Sequence, residues 1–151
     1  MPVTPFHFGP GVFLKSLFQK KFSLIIFILV QIFIDVETAW NIFRGNERLH
    51  TLFHTYLGSC IIIIVISIVG YWGQNLLKNK VILNFKTILL SAVIGAWSHV
   101  FLDSMMHIDV LPLYPLTVSN FMLQKISLLT LHLGCLLSGV MGIIIWFLRS
   151  R

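Results

Sequence analysis

Long, uninterrupted apolar runs leave this chain few ways to fold. Two of them read FSLIIFILVQIFI and CIIIIVISIVGYWG, and 57% of all residues are hydrophobic while 11% are charged. A helix of about 20 apolar residues crosses the hydrocarbon core of a bilayer and satisfies its own backbone hydrogen bonds there. The sequence therefore predicts an all-α, integral membrane helical bundle.

Four segments are long enough to be transmembrane helices, at approximately residues 22–43, 51–72, 87–108 and 127–148. A shorter apolar stretch at approximately 7–19 cannot cross the bilayer, so we expect a short N-terminal helix that dips into the membrane. The connectors are polar or contain proline and show no internal repeat, so residues 1–151 are predicted to form a single domain. The N-terminus has no basic segment of the signal-peptide type, and we expect it to stay in the mature protein.

The basic residues predict orientation, not nucleic-acid binding. Lys and Arg number eleven against five acids, but they lie singly or in pairs beside the apolar segments and form no continuous patch. Most of them would share one side of the membrane, whereas Arg44, Arg48 and Lys125 would lie on the other. The positive-inside rule makes the first side cytoplasmic. We expect a protein of a bacterial inner membrane that contacts membrane lipids.

Ionisable residues gather at one end of the predicted spans. Asp35 and Glu37 end the first span, and His50 and His54 open the second. The segment GAWSHVFLDSMMHIDVLPLYP ends the third span with several more, and all of these groups would lie near the extracytoplasmic face. An Asp near the bilayer centre costs roughly 2.5–3.5 kcal/mol on insertion scales. This grouping indicates a functional site, although polar stripes also join membrane helices by hydrogen bonds.

The spacing of His99, Asp103 and His107 predicts metal binding. Residues four apart form one stripe on a helix, and two side chains one turn apart can bind the same ion at about 2.0–2.2 Å. His99 and Asp103 are therefore predicted to share a divalent metal. His107 would lie about 12 Å from His99 along a helix axis, so it would bind a second metal or support the first from outside.

Further ligands would have to come from other segments. His54 is predicted to be a metal ligand, and His50 to be either a ligand or an interfacial residue. Asp35 and Glu37 lie two residues apart and cannot both point inwards from a regular helix. Asp35 is deeper and is the candidate ligand, while Glu37 is the candidate general base. His7 would join the site only if the N-terminal segment folds back.

Four stretches of the sequence also carry a family resemblance. TPFHFGPG, FID, LHTLFHT and SHVFLDSMMHIDVLPLYP resemble, in this order, the motifs of the YdjM-like membrane-bound metal-dependent hydrolases. The resemblance covers most of the chain and implies metal-binding roles for His7, Asp35, His50, His54, His99 and Asp103. It departs at Thr38, where the family has a His after the second acid, and at Phe53, where it has Thr.

That family is in turn similar to zinc-dependent phospholipase C, an all-helical enzyme whose metals are held by His-x3-Asp and by separate His and Asp residues. The resemblance implies one or two zinc ions, with manganese as an alternative, and a metal-activated water that attacks a phosphoester or phospholipid. Two other functions would need similar residues: a metal or proton transporter, and a non-catalytic protein that packs its polar stripes against a partner.

Overall fold

The computed structural model describes residues 4–76 and 83–149. Apart from one short 3-10 helix, Gln19–Lys21, the regular structure in these ranges is α1 (Thr4–Phe18), α2 (Leu24–Arg44), α3 (Tyr56–Leu76), α4 (Phe85–Met106) and α5 (Leu128–Arg149). Helices α2 to α5 each contain a stretch long and apolar enough to cross a membrane. The predicted helical membrane bundle, with four spans and a short N-terminal helix, is confirmed.

The start of α3 differs from the prediction. The second span was expected to begin near residue 51, but the helix begins at Tyr56. The Thr55 hydroxyl accepts a hydrogen bond from the Gly58 N–H at 2.8 Å, so Thr55 caps the helix as Ser and Thr commonly do. His50 and His54 therefore lie on an irregular loop, and the expectation that they open a helix one turn apart is wrong.

The end of α4 also differs from the prediction. The helix ends at Met106, and His107 has extended backbone angles, with φ at −115° and ψ at 129°. The helical stripe that joins His99 to Asp103 therefore stops there. The prediction that His107 continues this stripe is wrong, and its ring can turn back towards Asp103 because the chain leaves the helix.

Helices α2, α3 and α4 pack around an aliphatic core of Ile26, Val30, Ile34, Ile62, Ile63, Ile66, Ile88, Ala92 and Ala96. Helix α4 approaches α2 closely at Gly95, where a Cβ would lie 2.9 Å from the Phe27 carbonyl oxygen. Small residues allow such close approach between membrane helices. Further along the same two helices, Asp35 Oδ1 lies 3.3 Å from His99 Nε2.

Helix α1 folds back along α5. A Cβ on Gly142 would lie 2.7 Å from the Phe13 backbone nitrogen, so the two helices touch backbone to backbone. At the far end, the Arg149 guanidinium donates hydrogen bonds to the carbonyl oxygens of Ser16 and Leu17 at 2.9 and 3.1 Å. This packing brings the start of α1, with His7, to the end of the bundle that holds the other histidines.

Candidate metal centre

The helical part of the site consists of three residues on α2 and α4. His99 Nε2 lies 3.2 Å from Asp103 Oδ2 and 3.3 Å from Asp35 Oδ1. His99 and Asp103 are buried and lie one turn apart on α4, while the Asp35 side chain keeps 14% of its surface exposed. The predicted pairing of His99 with Asp103 is present, and α2 adds a second carboxylate to it.

The loop before α3 brings His54 to the same place. His54 Nε2 lies 3.4 Å from Asp103 Oδ2 and 3.5 Å from Asp35 Oδ1, and the side chain is fully buried. Asp35, His54, His99 and Asp103 each offer one ligand atom, and these atoms lie within 4.8 Å of one another. We call these four residues the His99 group. The group could hold a metal ion.

A second set of possible ligands lies beside the first. His50, Asp103 and His107 also present ligand atoms within 4.8 Å of one another. The rings of His50 and His107 stack with their centroids 4.3 Å apart. We call these residues the His107 group. Asp103 belongs to both groups, so its carboxylate could contribute to an ion held by either of them.

His7 reaches the edge of this cluster. Its Nδ1 lies 3.4 Å from His99 Nδ1, and its Nε2 lies 3.7 Å from Asp103 Oδ1. The fold-back of α1 therefore brings His7 to the site. Since His7 belongs to neither the His99 group nor the His107 group, it contacts the cluster from the side.

Glu37 anchors the loop that carries His54. Its two carboxylate oxygens accept hydrogen bonds from the N–H groups of Leu52 and Phe53 at 2.9 and 2.8 Å. One of them also lies 3.5 Å from His54 Nδ1. Asp35 meets Nε2 of the same ring, so both acids face His54. The expectation that Asp35 and Glu37 cannot both point inwards is wrong, because His54 presents one nitrogen to each.

Asp109 anchors the other half of the same loop. It accepts hydrogen bonds from the N–H groups of Leu49 and His50, each at 2.9 Å, and lies 2.9 Å from His50 Nδ1. Partial burial alone would raise the pKa of Asp109, but these hydrogen bonds from the backbone and from the His50 ring lower it to about 2. No role was predicted for Asp109 from the sequence, although an acid two residues after His107 is a signal of a further site residue.

The two acids hold the two loop histidines by related contacts. Each accepts hydrogen bonds from two successive backbone N–H groups and faces the Nδ1 of a histidine, so that the Nε2 of that ring is left for the cluster. Asp109 also hydrogen-bonds the His50 ring at 2.9 Å, whereas Glu37 lies 3.5 Å from His54 Nδ1, which has no hydrogen-bond partner. A carboxylate behind a metal-binding histidine fixes the orientation of the ring, so Asp109 orients His50 directly and Glu37 holds His54 mainly through the loop.

A hydroxyl group completes the surroundings of His54. Thr38 Oγ1 lies 3.5 Å from His54 Nε2, and Thr38 is fully buried. Thr38 stands at the position where the motif of the YdjM-like hydrolases has a histidine. This departure is visible in the sequence. That the threonine, which is smaller than a histidine, still reaches His54 is visible only in the fold.

The donor set fits a divalent metal ion. Among the described residues, His50 Nε2 is buried without a hydrogen-bond partner, and His99 Nε2 has only the carboxylates of Asp35 and Asp103 nearby, at 3.3 and 3.2 Å. An unsatisfied buried polar group costs about 1–3 kcal/mol. Imidazole nitrogens together with carboxylate oxygens are ligands that zinc and similar ions prefer. An ion would satisfy these nitrogens and balance the charges of Asp35 and Asp103.

Comparisons of the chain with protein-family models, curated proteins and solved structures found no significant match. The resemblance to the YdjM-like hydrolases therefore stays a prediction from four sequence motifs. The geometry of the cluster itself is what supports a function.

Proposed function

We propose that this protein is a membrane-bound, metal-dependent hydrolase that cleaves a phosphoester at the end of the bundle that carries the cluster. The observation that carries this proposal is the sharing of Asp103 between two groups of ligand atoms. A carboxylate shared in this way is the arrangement expected where two ions act together on one substrate. Three of the four motifs, FID, LHTLFHT and SHVFLDSMMHIDVLPLYP, supply the residues of these two groups.

The chain would hold the ions through two sets of residues. Asp35, His54, His99 and Asp103 would bind one ion, and His50, Asp103 and His107 the other. When bound, zinc, or manganese as the alternative, lowers the pKa of water and stabilises negative charge on the phosphoryl oxygens. Glu37 and Asp109 would keep the rings of His54 and His50 in place during the reaction.

The proposed reaction is the addition of water across one P–O bond. The water oxygen forms a bond to phosphorus, the bond from phosphorus to the departing oxygen breaks, and one proton of the water ends on that oxygen. Glu37 was predicted to be the general base, but its oxygens are engaged by the loop N–H groups and face His54 Nδ1. His7, beside the cluster and outside both groups, is better placed to accept and return this proton.

The aliphatic core favours hydrolysis over transport. A transporter needs polar groups through the thickness of the membrane, whereas the buried side chains between α2, α3 and α4 are mainly aliphatic, with Gln31, Ser59 and Ser67 as isolated polar exceptions. The polar residues of α4 that follow the site inwards have structural partners: Ser91 Oγ donates to the Thr87 carbonyl oxygen and accepts from the Ser23 N–H. This supports a site at one end of the bundle.

The distribution of charge supports the side on which we place the site. Lys15, Lys20, Lys21, Lys86 and Arg149 lie at the end of the bundle opposite the cluster. By the positive-inside rule that end is cytoplasmic. We therefore place the site at the extracytoplasmic face of what we propose to be a bacterial inner membrane.

Metal depletion and reloading test this proposal. Purified protein in detergent is stripped with a chelator, reloaded with zinc or manganese, and assayed with phosphomonoesters, phosphodiesters and phospholipids. We expect hydrolysis that returns with the metal and falls more than about 100-fold in Asp103→Asn and His99→Ala, since both remove ligands. His132→Ala is the control, because His132 packs against Phe6 and belongs to neither group. No hydrolysis by the reloaded, monodisperse protein would overturn the proposal.

A further inference from the structure

Two openings lie against the cluster on different sides. The first is a shallow, open cleft of about 310 Å³ between α1 and α2, lined by Pro5, Phe8, Ile32, Asp35, Val36 and Ala39. Its walls are apolar except for Asp35, which belongs to the His99 group. The cleft therefore leads along apolar side chains to a carboxylate of the candidate metal centre.

The cleft opens on the lipid-facing side of the bundle. Helix α2 is long and apolar enough to cross the membrane. Ile32 and Val36, one turn apart on α2, keep 44% and 54% of their surface exposed. Residues of a membrane span that point away from the bundle face lipid chains. The occupant that the surroundings supply is thus an acyl chain.

The second opening lies on the loop side of the cluster and carries polar groups in a mainly apolar wall. It is a pocket of about 200 Å³ lined by Arg48, His50, Thr51, Leu52, Thr55, Leu111 and Tyr114. His50 belongs to the His107 group, so this pocket meets the second set of ligands. A guanidinium beside hydroxyl groups suits a phosphate or another anionic group.

The two openings flank one centre because Asp103 joins the two groups. Asp35 of the first group lines the cleft, and His50 of the second group lines the pocket. Resting on the proposed function, we propose that the substrate is an anionic membrane phospholipid that enters sideways from the bilayer. Its acyl chain lies in the cleft between α1 and α2, its phosphodiester lies at the cluster, and its headgroup lies against Arg48.

The expected products follow from this placement. Water adds across one P–O bond of the phosphodiester, which gives an alcohol and a phosphomonoester, and the proton of the water leaves on the alcohol. A phosphoester without an acyl chain would occupy only the cluster and the pocket that contains Arg48. We therefore expect lipid substrates to depend on the cleft and short, water-soluble phosphoesters not to depend on it.

Photo-crosslinking tests the cleft without any need for turnover. The full chain is reconstituted in vesicles of phosphatidylethanolamine and phosphatidylglycerol that contain phosphatidylglycerol with a diazirine on one acyl chain. We expect the label to concentrate on α1 and α2 near Phe8 and Val36. Ala39→Trp, which fills the mouth of the cleft, should lower this labelling several-fold. Leu136→Trp, a bulky change at an exposed position of α5, is the matched control.

A second variant tests the headgroup pocket. Arg48→Gln should remove the preference for labelling by phosphatidylglycerol over a zwitterionic phosphatidylcholine probe of the same chain length, while leaving the labelled residues unchanged. An excess of inorganic phosphate should displace the lipid label little, because free phosphate lacks the chain. Displacement by phosphate alone would identify a soluble anion as the ligand and overturn the lipid assignment.

Turnover separates this inference from the proposed function. If the metal-loaded protein is active, Ala39→Trp should reduce phosphatidylglycerol hydrolysis at least about tenfold and leave a water-soluble phosphodiester nearly unaffected. Specific labelling of the cleft without any hydrolysis would refute the hydrolase and keep the lipid site. Even labelling of all helices, or labelling unchanged by Ala39→Trp, would refute the lipid site whatever the activity.

Discussion

The candidate metal centre joins two regions that are built differently. Asp35, His99 and Asp103 lie on α2 and α4, where the close approach of the helices at Gly95 fixes their spacing. His50 and His54 lie on an irregular loop, where hydrogen bonds from the backbone N–H groups to Glu37 and Asp109 fix the chain. The first region is positioned by packing and the second by charged side chains.

This difference predicts how each region responds to substitution. Packing between helices affects the whole bundle, so a change there should disturb stability and both groups of ligands together. A carboxylate that holds one histidine affects that histidine first. Variants that act on one region at a time can therefore test this difference.

Gly95→Ala should have the largest effect. A Cβ at this position would lie 2.9 Å from the Phe27 carbonyl oxygen and 3.2 Å from its Cα, so α2 and α4 would have to separate. Overpacking of this kind costs about 1–3 kcal/mol. We expect a lower thermal unfolding midpoint in detergent and weaker metal binding at both groups. Gly134→Ala is the control, because nothing lies within 4 Å of its added Cβ; equal behaviour of the two variants would contradict the account of the helical region.

Glu37→Gln and Asp109→Asn should have intermediate and separable effects. Glu37→Gln keeps one accepting oxygen, so it would leave the N–H group of Leu52 or Phe53 unpaired. In Asp109→Asn the remaining oxygen can still accept from Leu49 and His50, whose N–H groups bond the same oxygen, but the amide would hold the His50 ring less well. Loss of a carboxylate behind a metal-binding histidine typically weakens binding about 10–100-fold. Glu37→Gln should weaken the ion of the His99 group, and Asp109→Asn the ion of the His107 group.

Titration of apo-protein with zinc, followed by calorimetry, measures both effects. The exposed Glu47, near the same loop, supplies the control Glu47→Gln. If Glu37→Gln and Asp109→Asn weaken the same ion, or bind metal as the natural protein does, the separate roles of the two acids are refuted.

Thr38→Val should have the smallest effect. The change removes a hydroxyl that lies 3.5 Å from His54 Nε2 and keeps the shape of the side chain. We expect metal affinity to fall only a few-fold, since Glu37 still faces the other nitrogen of the ring. A loss as large as that of Glu37→Gln, measured by the same titration, would show that the hydroxyl and not the carboxylate orients His54.

The helical region could be predicted from the sequence because its signals are local. Apolar runs mark the spans, and the separation of His99 from Asp103 by four residues places both on one face of α4. The loop region could not be predicted in this way. Its conformation depends on Glu37, 15 residues before Leu52, and on Asp109, 59 residues after His50. Sequence spacing therefore predicted the pairing of His99 with Asp103, but the residues that hold the loop histidines emerged only from the fold.

The most direct test of the shared Asp103 is a metal count by mass spectrometry on the purified protein after exposure to zinc and removal of excess ions. We predict about two equivalents in the natural protein, about one in Asp109→Asn, and almost none in Asp103→Asn, whose amide is a weak ligand. A well-folded natural protein that holds no metal would instead mean that protonated histidines pair with Asp35 and Asp103. That result, or full retention of both ions by Asp103→Asn, would contradict the shared metal centre.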